Sequence, residues 1–211
     1  MTRQLVFRAV FALAILAFPL ASRAATPITP LSPADKALVD QASAYLEGLG
    51  QVRGHFSQTD AHGVASQGEL YLSRPGKARF DYASPASLLV ISDGHTVLVY
   101  DRRLKTFDRY PLGATPLSLF LQRHVRIDEK VAIARVERTP DSFSITATDG
   151  RHQTQGRITL TFASSPIALK EWSILDAQGA RTTVRIGDLE PAASLDPDLF
   201  VLPRPVQAGP R

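Results

Sequence analysis

The chain contains no cysteine, and that one absence removes several kinds of chemistry together. Disulfide staples, thiolate zinc sites, thiol nucleophiles and lipidation at a lipobox cysteine are all excluded. Catalytic signatures are missing as well. There is no H-E-x-x-H, no G-x-S-x-G elbow, and Gly63, Gly68 and Gly76 do not form a phosphate loop. The histidines His55, His62, His95, His124 and His152 are scattered without metal-ligand spacing. Two carboxylate pairs, Asp128 with Glu129 and Asp196 with Asp198, fall in polar or Pro-rich stretches and read as solvated. No constellation supports catalysis, and neither a metal nor a cofactor is called for.

What is present begins at the N-terminus. Arg3 and Arg8 precede an uncharged apolar run from Ala9 to Leu20, and Ser22-Arg23-Ala24 supplies small residues around a cleavage point. These are the three parts of a secretory signal. The run of twelve residues is too short for a membrane anchor, since roughly 30 Å of hydrocarbon needs about 20. The expectation is a cleaved signal peptide over residues 1–24 and a single domain over 25–211. That leader holds Arg3, Arg8 and Arg23 and no acid, so 21 of the 24 Lys and Arg remain against 20 Asp and Glu. A net charge of +1 is no footprint for nucleic acid, and that partner class is excluded. About 187 remaining residues can bury a core without staples. A chain with no lipid-bearing cysteine is expected to diffuse freely in the periplasm as a monomer.

Beyond a Pro/Thr linker, Ala25 to Leu31, Ser32-Pro33-Ala34-Asp35 reads as a helix start, with a capping serine, a first-turn proline and an acid at the positive end. Leu38, Ala42, Tyr45, Leu46 and Leu49 then form one apolar stripe, which Gly48 and Gly50 end. From there the dominant period is two. Strands are predicted over Val52–Thr59, Gly68–Ser73, Ala78–Tyr82, Leu88–Ser92, Thr96–Asp101 and Lys105–Tyr110. Further ones are Val131–Arg138, Ser142–Thr148, Arg157–Phe162, Ala168–Leu175 and Arg181–Gly187. Asp93-Gly94, Asp149-Gly150, Gln178-Gly179 and Thr139-Pro140-Asp141 mark tight turns. Connections this short require antiparallel neighbours, so the prediction is a meander of about eleven strands.

One segment breaks the period. Thr115 to Gln122 (TPLSLFLQ) has a cap-like Thr and a proline, then Leu and Phe on most faces. A short helix apolar nearly all round needs apolar surface on more than one side, and beside a concave sheet it fits as a plug or lid. A second oddity is Arg74-Pro75-Gly76-Lys77-Ala78-Arg79-Phe80-Asp81-Tyr82. Here Pro75 and Gly76 make a turn, and Phe80 and Tyr82 stand on the face opposite Arg79.

Several stretches, in order, carry a resemblance: Phe56-Ser57-Gln58-Thr59, Gly68 to Leu72, Arg74 to Tyr82 with Pro85, and Val90-Ile91-Ser92-Asp93-Gly94. Val97 to Asp101, Thr115 to Leu121 and Asp196-Pro197-Asp198-Leu199-Phe200 follow. The ordered set resembles the outer-membrane lipoprotein carrier protein family (LolA-like). That resemblance implies a mainly β fold with an α lid, an incomplete, half-open antiparallel barrel whose short helices cover an apolar cavity. It implies a non-enzymatic carrier that binds lipoprotein acyl chains. It would receive them from an inner-membrane ABC transporter complex and deliver them to an outer-membrane lipoprotein receptor. It also implies that Arg74 holds the lid and that Phe80 and Tyr82 suit an apolar lining. Leu89 and Val90 then fall among the cavity residues, and Leu117, Leu119, Phe120 and Leu121 in the lid. Three other readings stay open: a carrier of another glycolipid or polyketide lipid, a lipoprotein-sensing regulator, and a periplasmic hydrolase.

Overall fold

A computed structural model describes residues 31–125, 127, 131–149, 156–176 and 178–203. The signal peptide, most of the Pro/Thr linker, Asp128, Glu129, Gly150 and His152 lie outside the described residues.

The predicted N-terminal helix is α1 (Pro33–Gly48), and Ser32 caps it by accepting a hydrogen bond from the Asp35 backbone N–H at 3.1 Å. Its buried face is Val39, Ala42, Ser43 and Leu46, while Leu38, Tyr45 and Leu49 pack only partly. The covered stripe is therefore rotated by about one residue from the predicted one.

Twelve strands follow among the described residues. β1 (Gln51–Thr59), β2 (Ala65–Ser73), β3 (Lys77–Tyr82), β4 (Leu88–Asp93), β5 (Thr96–Asp101) and β6 (Thr106–Pro111) run as consecutive antiparallel hairpins. After α2 (Ser118–Leu121) come β7 (Val131–Arg138), β8 (Ser142–Asp149), β9 (Arg157–Ser164), β10 (Ile167–Leu175) and β11 (Arg181–Ile186). The sheet order is β6-β5-β4-β3-β2-β1-β11-β10-β9-β8-β7. It is two meanders joined where β11 returns to β1, through pairs such as Phe56 with Ile186. The strand beyond the predicted eleven is β12 (Glu190–Pro191), two residues pairing with Arg53 and Val52 of β1. So short a strand leaves no alternation in the sequence to detect.

Alternation along the strands divides the two faces. Phe56, Leu70, Leu72, Phe80, Val184, Leu160, Ile145 and Phe162 line the concave face, and α1 and α2 cover it to make the main core. Gly68 lies there because nothing larger fits. A Cβ at that site would lie 2.1 Å from the Asp81 carbonyl oxygen and 2.9 Å from the Phe56 ring. A smaller apolar group on the convex face, Leu89, Ile91 and Leu98, is buried separately. There the C-terminal 3-10 turn Pro197–Phe200 packs on β3 and β4 and buries Phe200.

Candidate functional site

The concave side carries the site, and the R-P-G turn is its fixed point. Gly76 has φ +86°, and a Cβ there would come 2.7 Å from the Gly94 Cα, so two neighbouring hairpin turns pack backbone to backbone. Ser92, fully buried, donates its hydroxyl to the Gly76 carbonyl at 2.7 Å, and the Arg74 amide donates to Gly50 at 3.1 Å. The turn so held offers two donors to the lid. The Gly76 N–H donates to the Leu121 carbonyl at 2.7 Å, and Arg74 Nη2 donates to the Gln122 carbonyl. The last carbonyls of a helix have no partner within it, so these two bonds tie down its otherwise open end.

The lid is a short piece. Leu112–Ala114 form a 3-10 turn, and the α2 segment is built on backbone bonds from Ser118 to Thr115 and from Leu121 to Leu117. Thr115 does not cap it, contrary to expectation: its hydroxyl donates back to the Leu112 carbonyl at 2.8 Å. Phe120 and Leu121 are buried, whereas Leu117 and Leu119 pack partly against the same core. The Phe120 ring lies 5.2 Å from Trp172 of β10, and Trp172 meets Phe80 edge-on at 6.0 Å. Beside the lid, His124 Nδ1 reaches Glu47 of α1 at 3.1 Å.

Between lid, α1 and sheet is an apolar pocket that includes Leu49, Leu70, Arg74, Phe80, Phe120 and Trp172. Its volume is about 10 Å³, room for roughly one water, where ligand pockets commonly run to hundreds of Å³. The space beneath the lid is thus filled by its own lining and is not of ligand size in this structure. Arg74 is the exception in this lining. Its Nε and Nη1 are buried without a hydrogen-bond partner among the described residues, leaving the Gln122 carbonyl as the acceptor for the guanidinium. Burial pushes its pKa down from the ordinary arginine value, and the charge of Glu47 partly offsets this.

Arg74, Phe80 and Phe120 therefore meet in one pocket, with Leu117, Leu119, Leu121 and Val90 in the surrounding core. Tyr82 forms the next layer along β3. Its ring packs edge-on to Phe56 at 4.8 Å, its hydroxyl donates to Gln58 Oε1 at 2.8 Å, and burial pushes its pKa up to about 12. Leu89 is placed elsewhere. The register pairs Phe80 with Val90 and Asp81 with Leu89, so Leu89 faces the convex side. Trp172 and Leu169 of β10 and Ile186 of β11 line the pocket without having been singled out. The one available signal was that Trp172 is the only tryptophan in the chain. Among the described residues no three histidines or carboxylates could hold a metal, and no helix is long and apolar enough to cross a membrane.

Fold and site together define a lidded half-barrel, a curved sheet whose apolar face is covered by two helices. The model of the outer membrane lipoprotein carrier protein LolA family matches residues 47–203, and the chain belongs to that family. It is 26% identical over 196 residues to an outer-membrane lipoprotein carrier protein of Chromobacterium violaceum, covering 89% of this chain and 94% of that one. The corresponding protein of Methylococcus capsulatus is 28% identical over 198 residues, 92% of each chain. A crystal structure of a LolA superfamily protein from Nitrosomonas europaea superposes with a TM-score of 0.48 at 11% identity, covering 80% of this chain and 97% of that one. The role is that of a LolA-like carrier.

Proposed function

We propose that the protein takes lipoprotein acyl chains into the space beneath the lid and shuttles them from the inner to the outer membrane. In this reading residues 1–24 are removed on export and the remaining domain, residues 25–211, works in the periplasm as a monomer. It loads from an inner-membrane ABC transporter complex and unloads to an outer-membrane receptor, without covalent chemistry.

Arg74 carries the proposal. A guanidinium enclosed in an apolar pocket with two of its three nitrogens unpartnered makes a closed state that is held but not deeply stable. A charge-assisted hydrogen bond contributes about 1.5–3 kcal/mol, and each unsatisfied buried donor costs about 1–3 kcal/mol. Cargo supplies the opposing term. Exposing a sixteen-carbon chain to water costs on the order of 10 kcal/mol at about 0.8 kcal/mol per methylene. Uncovering the lid side chains Phe120 and Leu121 costs about 1.5–3 kcal/mol each. Burial of one chain therefore outweighs the opening of the lid, and the empty protein can close again after handover.

Two measurements test this. Native mass spectrometry of protein purified from the cell envelope is expected to find acylated lipoprotein. The purified protein is also expected to release a model lipoprotein from inner-membrane vesicles. Recovery of a glycolipid alone would replace this reading with a glycolipid carrier of the same architecture. Lipoprotein binding without release would point to a sensing role.

A further inference from the structure

At the opposite end of the concave face from Arg74, the turn after β1, the loop after β3 and the end of β5 enclose an open groove of about 250 Å³. Gln58, Ser66, Ser87, Leu88, Asp101 and Arg103 are among its walls, with Asp60 and Val64 at the rim. The groove lies on the same face of the sheet as the pocket under the lid. Leu70 lines the pocket and Ser66 the groove, and four residues along one strand is about 13 Å. Between the two lies an aromatic layer in which Phe56 stands 5.3 Å from Phe80 and 4.8 Å from Tyr82. Beyond that layer the lining changes from apolar to mixed.

The polar groups of the groove are not equivalent. Asp60 Oδ1 accepts the backbone N–H groups of His62 and Val64 at 2.8 and 2.9 Å, and Asp101 Oδ1 those of Arg103 and Leu104 at 2.8 and 2.9 Å. These carboxylates build the turns. Gln58 is oriented from behind: the Tyr82 hydroxyl occupies its Oε1, which leaves the Nε2 amide as a donor. Ser66 Oγ, Gln58 Nε2 and the Arg103 guanidinium have no hydrogen-bond partner among the described residues. A free donor set of this kind fits a ligand rich in acceptors. Charge narrows the class further. Asp60 and Asp101 against Arg103 give the lining a net charge of −1, which opposes a phosphate and tolerates neutral esters and amides.

We infer that this groove holds the neutral polar head of the cargo: the glyceryl ester and first peptide carbonyls that adjoin the acyl chains of a lipoprotein. The assignment rests on the acyl-carrier reading above, with chains under the lid and head at the mouth. It makes the carrier selective for the linkage between lipid and protein as well as for apolar length.

The test uses the fluorescence of Trp172, the single tryptophan, which lines the acyl pocket. Palmitate, a dipalmitoyl-glyceryl-cysteinyl peptide and phosphatidylglycerol are titrated into wild-type protein and into the double variant Ser66→Val/Arg103→Gln. Gln58→Leu serves as a second, independent variant. Each variant is expected to bind the lipopeptide about tenfold more weakly, the scale of one or two lost polar contacts, with palmitate affinity unchanged. Equal loss for palmitate and lipopeptide would make the groove a mere extension of the acyl pocket, and unchanged lipopeptide affinity would remove it from the site. Both outcomes overturn the assignment while leaving the carrier reading intact. Equal weakening of phosphatidylglycerol and lipopeptide would overturn the preference for a neutral head. Wild-type protein that takes up none of the three would refute the carrier reading and the groove with it.

Discussion

Phe120→Ala should open the lid without unfolding the sheet. Phe120 is 4% exposed, stacks obliquely on Trp172 and forms part of the pocket wall. Truncating a buried phenylalanine costs about 3–5 kcal/mol. The lower figure applies here, because α2 is a surface segment that can settle into the space. The loss falls on closure of the lid, since the twelve-stranded sheet keeps its ladder. About 3 kcal/mol is a factor of roughly a hundred in the closing equilibrium. The Gly76 amide reports that equilibrium directly, because its hydrogen bond runs across the gap to the Leu121 carbonyl. Amide hydrogen exchange should therefore speed up at Gly76 by about two orders of magnitude, up to the rate of the unprotected amide. Exchange in the β8–β9 ladder should remain at its wild-type rate, and Trp172 emission should move to the red. Unchanged exchange at Gly76 would show that the phenyl group does not hold the lid. Loss of protection in the β8–β9 ladder to the same degree would show that lid and sheet unfold together. Either result refutes the reasoning.

Other perturbations have equally definite outcomes. Arg74→Leu replaces a buried, largely unpartnered cation by an apolar group, so the thermal midpoint should hold or rise. Lipoprotein handover should slow, because Leu adds an apolar contact to a bound chain; unchanged transfer kinetics would make Arg74 a hairpin charge only. Gly68→Ala should lower stability in urea by about 2 kcal/mol or more, since the added methyl meets the Asp81 carbonyl and the Phe56 ring. A wild-type midpoint would show that β2 and β3 can part freely at that site. Burial raises the pKa of Asp81, but hydrogen bonds from Arg79 and Arg102 outweigh it and leave the carboxyl below its ordinary range. Its contribution to stability is thus present above the unfolded value, about 3.9, and lost as pH falls through the lower folded value. Asp81→Asn should flatten that acid limb of the stability curve, and an unaltered slope below pH 4 would show that the ion pairs are idle.

Local signals were legible where local chemistry decides. Ser32 and Pro33 announced α1, Asp93-Gly94 the turn between β4 and β5, and the apolar run after Pro116 a covering segment. The pocket itself was harder to see. A bulge between Leu169 and Glu171 breaks the alternation of β10, so Leu169 and Trp172, three apart, share the concave face. Strict period two would have put them on opposite sides. Leu89 and Val90 are neighbours in one strand, and adjacent residues of a strand cannot both face the lumen. The other side of β3 and β4 is met by the turn Pro197–Phe200, more than a hundred residues away, and no local pattern carries a contact of that range.

The sheet never closes. Its terminal strands, β6 and β7, follow one another in the chain, and the segment between them carries α2. A sealed barrel has its bore set by strand number and stagger, and widening it means breaking ladder bonds. Here the two edges can part by a change of curvature alone, as the covers of a book part about the spine, with every inter-strand bond intact. The width of the concave face is then set by curvature and cover, not by a closed ring of strands.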